Sequence, residues 1–219
     1  MLELLNISKR YPVMGGERTV LDNISLRIQP GEKIGILGRN GAGKSTLIRI
    51  LSGAEPPTSG QVGRGMSVSW PLAFGGTFQE QLSGLDNLRF ICRIYNKSVE
   101  DKIAFVQDFS ELGRYFREPV GKYSTGMRAR LAFAISMVVE FDCYLIDEVM
   151  AVGDRRFTEK CRIELFEKRA DRAMIIVSHD QEFVKSHCLH AKVLNGGIMH
   201  HFETIDEGYS FYLKHIKDK

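Results

Sequence analysis

Hydrophobic and polar residues in the first part of the chain follow the short repeats typical of β-strands. Residues 2–8 form a short apolar run, residues 20–28 alternate apolar with polar side chains, and residues 32–37 are largely apolar. A period of two predicts a half-buried strand, and a short continuous apolar run predicts a strand buried on both faces. A glycine-rich stretch follows, and residues 44–52 then have the wider apolar spacing of a helix that Gly53 would close.

The rest of the chain predicts helices, followed by alternating strands and helices. Residues 85–139 have a helical pattern, and Ser98 with Asp101 resembles a capping box at one helix start. Strands alternating with helices indicate a parallel sheet with crossover helices, which makes the fold class α/β. The alternating elements are predicted at residues 143–147 (strand), 155–169 (helix), 173–178 (strand) and 182–186 (helix).

Two turn signals follow near the end of the chain. Residues 195–197 read Asn-Gly-Gly and predict a β-hairpin. Thr204 with Glu207 resembles a second capping box, which would open a terminal helix.

Composition excludes several classes of protein. The chain has 219 residues, 43% of them hydrophobic and 26% charged, with a formal net charge of +3. That balance is too small to predict a nucleic-acid partner. The longest apolar run, residues 131–139, is interrupted by Ser136 and is far shorter than the ~20 residues of a membrane span. The polar N-terminus is unlike a signal peptide, and four cysteines without CxxC pairs predict reduced thiols in a cytosolic protein.

A phosphate-binding loop is predicted at residues 38–46, which read GRNGAGKST and fit G-x-x-x-x-G-K-[ST]. Glycines let successive backbone N–H groups approach phosphate oxygens that a Cβ would keep away. The helix beginning near Gly43 adds the positive end of its dipole, Lys44 neutralises the β and γ oxygens, and Ser45 offers a hydroxyl to Mg²⁺. The predicted nucleotide-binding residues are Gly38, Arg39, Asn40, Gly41, Ala42, Gly43, Lys44, Ser45 and Thr46.

An apolar strand that ends in two acidic residues supplies the second part of a nucleotide site. Residues 144–148 read YLIDE, and acids at the end of a buried strand are costly unless they have a function. Asp147 is predicted to hold Mg²⁺, directly or through water. Glu148 is predicted to polarise the attacking water as the catalytic base.

Three further segments narrow the family. Ser124, Thr125 and Gly126 precede a strongly helical run, Asp154 follows Glu148 closely, and His179 follows the strand at 173–178. The set and its order resemble the nucleotide-binding subunits of ABC transporters over essentially the whole chain. The resemblance implies a P-loop NTPase core of ABC ATPase type, with ATP and Mg²⁺ as cofactors.

The resemblance also assigns domains and roles. It implies one ABC nucleotide-binding domain over residues 1–219. A RecA-like core with a β-rich N-terminal subdomain would take 1–84 and 141–219, and a helical insertion would take about 85–140. Ser124, Thr125 and Gly126 would contact the γ-phosphate bound on the opposite subunit, and Asp154 would lie at the dimer contact. Tyr11 would stack on adenine, and His179 would contact the γ-phosphate as a second catalytic residue.

The sequence departs from the usual motifs of the family in its signature segment and before the helical insertion. Thr125 and Met127 replace the usual glycine and polar residue, so Thr125 must have a negative φ or tolerate strain. The usual glutamine before the helical insertion is absent from residues 71–74, which leaves Gln79 and Trp70 as unassigned candidates.

In most ABC ATPases the segment after the acidic pair begins Pro-Thr. Here residues 149–154 read VMAVGD, which resembles the ABC-2-type exporters of bacterial polysaccharides. The chain most resembles the short capsule-export ATPases of Gram-negative bacteria. O-antigen, teichoic acid or another export substrate remains an alternative, as does a soluble ABC ATPase acting in DNA repair or translation.

The resemblance implies an assembly at the cytoplasmic face of the inner membrane, to which this chain would bind peripherally. It would form a homodimer that sandwiches two ATP molecules, dock on integral-membrane permease subunits and drive polysaccharide export. No nucleic acid is expected as a partner. Trp70, Phe74, Phe78 and Leu82 are candidate permease contacts, and a place in the core is an equally good explanation for them.

Overall fold

A computed structural model describes residues 1–72, 78–147, 154–178 and 180–216. The chain divides into two compact units. The first unit contains Met1–Pro71, Phe141–Glu148 and Asp171–Lys219, and the second contains Leu72–Glu140 and Val149–Ala170.

An antiparallel sheet forms the N-terminal part of the first unit, in the order β2-β1-β4. Its strands are β1 (Leu2–Val13), β2 (Gly16–Ile28) and β4 (Ser59–Arg64). The β1–β2 hairpin is longer than the pattern predicted, because the pairing continues to Val13 and Gly16. Pro12 has no backbone N–H to donate to a neighbouring strand. It is tolerated in β1 because β4 pairs with β1 only as far as Ser8, so the sheet loses no hydrogen bond to β4 at this position.

The first unit also contains a larger sheet. Its strands, in spatial order, are β5 (Val68–Pro71), β6 (Cys143–Asp147), β7 (Ala173–Val177), β3 (Lys33–Gly38), β8 (His190–Asn195) and β9 (Ile198–Phe202). Strands β5, β6, β7, β3 and β8 are parallel to one another, as the strand–helix alternation predicted, and β9 is antiparallel to β8. The predicted hairpin at 195–197 joins β8 to β9, with Asn195 opposite Ile198.

The described part of the first unit contains three helices, α1 (Lys44–Ser52), α6 (Gln181–His187) and α7 (Ile205–Ile216). Helix α1 has the predicted bounds, buries its apolar residues in the core shared with β3 and β6, and ends at Gly53. The second predicted capping box is half formed, because the Glu207 backbone N–H donates to Thr204 Oγ1 at 3.3 Å.

The second unit is helical. It contains α2 (Gly84–Ile94), α3 (Glu100–Ser110), α4 (Thr125–Ser136) and α5 (Arg155–Arg162), with a π-helical turn at Ile163–Glu167 and short 3-10 turns at Gly113–Arg117 and Val120–Lys122. Three buried rings form its centre. Phe109 stacks on Phe133 at 5.7 Å between centroids, and Phe157 meets Phe109 edge-on at 5.5 Å. These contacts join α3, α4 and α5 through one aromatic cluster.

The helical unit extends beyond the predicted 85–140. Residues 78–84 join it because Asn87 Oδ1 accepts the Gln79 N–H at 3.0 Å and Val120 N–H donates to the Leu82 carbonyl at 2.9 Å. Helix α5 joins it through Phe157 and through the Lys160–Glu111 ion pair at 2.7 Å.

The capping box predicted at Ser98 and Asp101 was wrong. Val99 is the N-cap of α3 and has no capping side-chain hydrogen bond. Ser98 Oγ instead donates to Glu100 Oε2 at 2.9 Å, so the hydroxyl satisfies a neighbouring carboxylate and not a helix N–H.

The four cysteines are buried and free. Burial raises the pKa of the Cys143, Cys161 and Cys188 thiols to about 12, so these groups stay protonated at neutral pH. Among the described residues, none of the helices is both long and apolar enough to span a membrane.

Candidate phosphate-binding site

The predicted phosphate loop lies where several parallel strands end. It joins the end of β3 to the start of α1. In the sheet register, Asp147 of β6 pairs with Val177, and Val177 pairs with Ile36 of β3. Since the carboxyl ends of parallel strands share one edge, Asp147 lies at the same edge as the loop, about 10 Å from Ile36 across two strand spacings.

The loop turns through two glycines with positive φ. Gly41 has φ of 81° and Gly43 has φ of 107°, a region where side chains other than glycine are strained. The Gly43 carbonyl then accepts the first helical hydrogen bond, from the Leu47 N–H at 2.9 Å. A Cβ on Gly43 would lie 2.9 Å from the Val20 carbonyl oxygen and 2.8 Å from Leu21 Cδ2. The glycine therefore permits both the turn and the close approach of β2.

The Lys44 ammonium group lies against the backbone of the same loop. Its Nζ donates to the Gly38 carbonyl at 2.6 Å and to the Arg39 carbonyl at 3.0 Å. These contacts hold the cation beside the start of α1, whose N-terminal N–H groups attract anions.

A cavity of about 440 Å³ opens over the loop. It contains two cationic side chains, two hydroxyls and one carboxylate, which is the donor set expected for a Mg²⁺-bound polyphosphate. Asp147 and Ser45, the two predicted Mg²⁺ ligands, line the same cavity. The lining residues are Arg18, Val20, Asn40, Gly41, Gly43, Lys44, Ser45, Thr46 and Asp147.

Arg18 and Val20 are cavity residues that no sequence motif predicted. Both come from β2, far from any motif. Arg18 is the cross-strand partner of Tyr11, and partners in an antiparallel pair project from the same face of the sheet. Because Tyr11 was predicted to lie in the nucleotide site, pairing of β1 with β2 would also have indicated Arg18 as a residue of that site.

Arg39 lies in the predicted loop, yet its side chain contacts a different element. Its Nη1 donates to the backbone carbonyl of His215, near the end of α7, at 3.4 Å. A guanidinium at a helix C-terminus satisfies an end carbonyl and interacts well with the helix dipole. The side chain thus links the loop to α7, while the Arg39 backbone contacts Lys44.

Tyr11 reaches the cavity through Thr46. The Tyr11 hydroxyl is 3.5 Å from Thr46 Oγ1, and Thr46 is one of the cavity residues. The same hydroxyl donates to Glu55 Oε2 at 2.9 Å and accepts from Arg49 Nη2 at 3.1 Å.

The predicted signature residues form the start of α4 in the second unit, and all three are exposed. Ser124 is the N-cap, and its Oγ accepts the Met127 N–H at 3.2 Å. Thr125 is the first residue of the helix, where a negative φ is standard, so its Cβ causes no strain there. The helix N-terminus predicted at Ser124 is confirmed.

Asp154 caps α5. Its Oδ1 accepts the Phe157 N–H at 2.9 Å, and its Oδ2 pairs with Arg130 of α4 at 2.9 Å. These contacts lower the pKa of Asp154, the hydrogen bond from the Phe157 N–H first and the Arg130 charge after it. Arg130 also pairs with Glu111 at 3.0 Å and lies 4.8 Å from the Phe157 ring centroid. The acid therefore fixes the start of α5 against α4.

Several predicted positions lie outside the described residues. They include both predicted catalytic residues, Glu148 and His179, and the candidate permease contact Phe74. Gln79 is exposed, with its backbone held by Asn87. Trp70 packs edge-on against Phe141 at 5.3 Å, which supports the core explanation for this residue.

The fold and the cavity together define a P-loop nucleotide-binding protein. The family model described as ABC transporter matches residues 21–151. The chain therefore belongs to the ABC transporter family and is an ATP-binding cassette ATPase.

Two curated relatives align over nearly the full length of both chains. ATP-binding protein BexA of Haemophilus influenzae is 62% identical over 212 residues, covering 97% of this chain and 98% of the relative. Capsule polysaccharide export ATP-binding protein CtrD of Neisseria meningitidis serogroup B is 60% identical, with the same coverage.

A solved structure confirms the predicted fold class. The dimeric post-hydrolysis structure of the ATP-binding cassette MJ0796, bound to ADP and Pi, aligns with a TM-score of 0.78. It covers 92% of this chain and 98% of that chain at 20% identity, so the likeness concerns the fold.

Proposed function

We propose that this protein is the ATP-hydrolysing subunit of an exporter of capsular polysaccharide. The observation that carries the proposal is the 60% identity to a capsule polysaccharide export ATP-binding protein, which spans 97% of this chain. The cavity over the phosphate loop supplies the chemistry that such a subunit needs.

Phosphate binding would be shared between backbone and side chains. The loop N–H groups, the start of α1 and Lys44 would receive the phosphate oxygens, and Arg18 would add a second cation at the β2 side of the cavity. Ser45 and Asp147 would hold Mg²⁺, which neutralises charge on the phosphate oxygens when it is bound.

Hydrolysis would require residues that follow strands β6 and β7. Glu148 would accept a proton from the attacking water, and His179 would hydrogen-bond the γ-phosphate. Water then adds to the γ-phosphorus, the bond to the bridging oxygen breaks, and ADP and phosphate leave.

Partners of the subunit follow from the same proposal. Two copies would enclose two ATP molecules, with Ser124, Thr125 and Gly126 of one chain facing the nucleotide on the other. Exposure of these residues at the start of α4 supports that arrangement, because a helix N-terminus attracts an anion. The net charge of +3 gives no support to a nucleic-acid partner.

Helix α2 offers a surface for the permease subunits. Phe90, Ile94 and Tyr95 are 49%, 57% and 38% exposed, and Leu82, ahead of the helix, is 40% exposed. Phe90 and Ile94 lie one helical turn apart, and adjacent exposed apolar side chains of this kind mark interaction sites. Docking there would place the subunit peripherally at the cytoplasmic face of the inner membrane.

Complementation tests the proposal directly. The gene for this chain is expressed in Neisseria meningitidis serogroup B lacking CtrD, and capsular polysaccharide at the cell surface is quantified. We expect surface polysaccharide to return with the wild-type chain and not with Lys44→Ala, which loses the loop cation. A wild-type chain that accumulates and hydrolyses ATP, but restores no surface polysaccharide, would contradict the export function.

A further inference from the structure

Four polar side chains are joined beside the phosphate cavity, and the predicted nucleotide chemistry does not use three of them. Lys9 and Tyr11 come from β1, Arg49 from the last turn of α1, and Glu55 from the segment after that helix. We call this set the Glu55 cluster. The Glu55 backbone N–H donates to the Arg49 carbonyl at 3.1 Å, which fixes the carboxylate beside the helix.

Glu55 is the centre of the cluster because each of its oxygens is used. Oε1 pairs with Lys9 Nζ at 2.9 Å. Oε2 accepts from Arg49 Nε and from the Tyr11 hydroxyl, both at 2.9 Å. The tyrosine hydroxyl is thereby held by a carboxylate that is itself held by two cations.

Arg49 connects the cluster to the cavity. Its Nη2 donates to the Tyr11 hydroxyl and to Thr46 Oγ1, each at 3.1 Å. Thr46 is buried and lines the cavity. One guanidinium therefore fixes the relative positions of a loop hydroxyl and an aromatic ring.

The charges keep this geometry through the neutral pH range. Hydrogen bonds from Arg49, and then from Lys9, lower the pKa of Glu55 to about 2, so the carboxylate stays ionised. The Lys9 ammonium also lies 5.2 Å from the Tyr11 ring centroid, close enough for a cation–π contact. Partly exposed ion pairs add little to stability, so ring placement is the larger effect of the cluster.

We propose that Glu55 and Arg49 are positioning residues that hold the Tyr11 ring for stacking on the nucleobase and tie it to Thr46 in the phosphate loop. The inference rests on the proposed nucleotide site. It assigns a role in that site to Glu55 and Arg49, which lie outside every motif in the sequence. A ring fixed before binding loses less conformational entropy when the base arrives, which strengthens binding. The contribution acts on the base end of the nucleotide and leaves the phosphate end unchanged.

Comparing the binding of ATP and of inorganic tripolyphosphate separates an effect on the base end of the nucleotide from an effect on its phosphate end. ATP has a base and inorganic tripolyphosphate has none, so equilibrium binding of both is measured on the purified full chain with Mg²⁺. Loss of a base–aromatic stack weakens binding by about 5- to 150-fold. For Glu55→Ala, which releases the ring without removing it, we expect ATP binding to weaken about five- to tenfold and tripolyphosphate binding to change less than twofold.

Variants at neighbouring positions complete the test. Glu55→Gln keeps the shape of the side chain and one acceptor oxygen, so we expect a loss of ATP affinity between those of wild type and Glu55→Ala, with tripolyphosphate binding unchanged. If Glu55→Ala does not fold, Glu55→Gln takes its place in the test. In a Tyr11→Phe background, which lacks the hydroxyl, Glu55→Ala should add less than a twofold loss. The matched control is Glu3→Gln, which breaks the exposed Glu3–Arg27 ion pair in the same sheet and should change the affinity for neither ligand.

The outcomes distinguish this inference from the proposed function. Equal weakening of ATP and tripolyphosphate would overturn base positioning, because the cluster would then support the loop alone. Unchanged ATP binding in both Glu55 variants would overturn it as well. A wild-type chain that binds neither ligand would contradict the nucleotide site itself.

Discussion

Alanine at Gly43 should destabilise the first unit much more than alanine at Gly41. Both glycines have positive φ, at 107° and 81°, so either substitution costs about 1–2 kcal/mol of backbone strain. Only at Gly43 does the new Cβ meet other atoms, 2.9 Å from the Val20 carbonyl oxygen and 2.8 Å from Leu21 Cδ2, whereas the Cβ at Gly41 has nothing within 4 Å. Forcing β2 away from the loop adds about 1–3 kcal/mol.

The expected losses in the free energy of unfolding are therefore about 2–5 kcal/mol for Gly43→Ala and about 1–2 kcal/mol for Gly41→Ala. Urea unfolding followed by tryptophan fluorescence measures them, since the single tryptophan, Trp70, belongs to the first unit. The assay is run without nucleotide, so that altered ligand binding does not contribute.

Gly41→Ala is the matched control, because it shares the backbone strain and lacks the contact. Equal losses in the free energy of unfolding for the two variants would refute the reasoning, because the close approach of β2 to Gly43 would then have no effect on stability. A larger loss for Gly41→Ala would contradict it more strongly.

Three further predictions concern hydrolysis, the dimer and pH. Glu148→Gln should leave ATP binding intact and slow single-turnover hydrolysis at least about 100-fold; a near-normal rate would exclude Glu148 as the base. Lys44→Ala and Ser124→Arg homodimers should trap no nucleotide, whereas their heterodimer should keep one intact site. A folded heterodimer that traps none would count against Ser124 acting on the partner's nucleotide. The Glu55 pKa is lowered from 4.5 to about 2, so its stabilisation should be complete above pH 4.5 and disappear as the pH falls through 2. In acid unfolding, wild type should therefore be slightly more stable than Glu55→Gln at pH 7, and the two should converge below pH 2. A stability difference that does not change with pH would contradict the assignment.

The phosphate loop and its helix were predictable because their chemistry is local. Loop glycines, Lys44 and the apolar spacing of residues 44–52 are contiguous in the chain, and hydrogen bonds between near neighbours determine their structure. The start of α4 after its N-cap Ser124 was predictable for the same reason. At Ser98 the local signal failed, because a capping hydroxyl can bond to a neighbouring side chain as readily as to a backbone N–H.

Tertiary structure alone decided which distant residues meet. Strand pairing placed Arg18 and Val20 at the cavity, and hydrogen bonds between distant segments joined Tyr11 to Arg49 and Glu55. Arg39 belongs to the loop by sequence, yet its side chain contacts α7. Contacts between residues far apart in the chain depend on strand register and helix packing, and these are properties of the whole core that no single segment encodes.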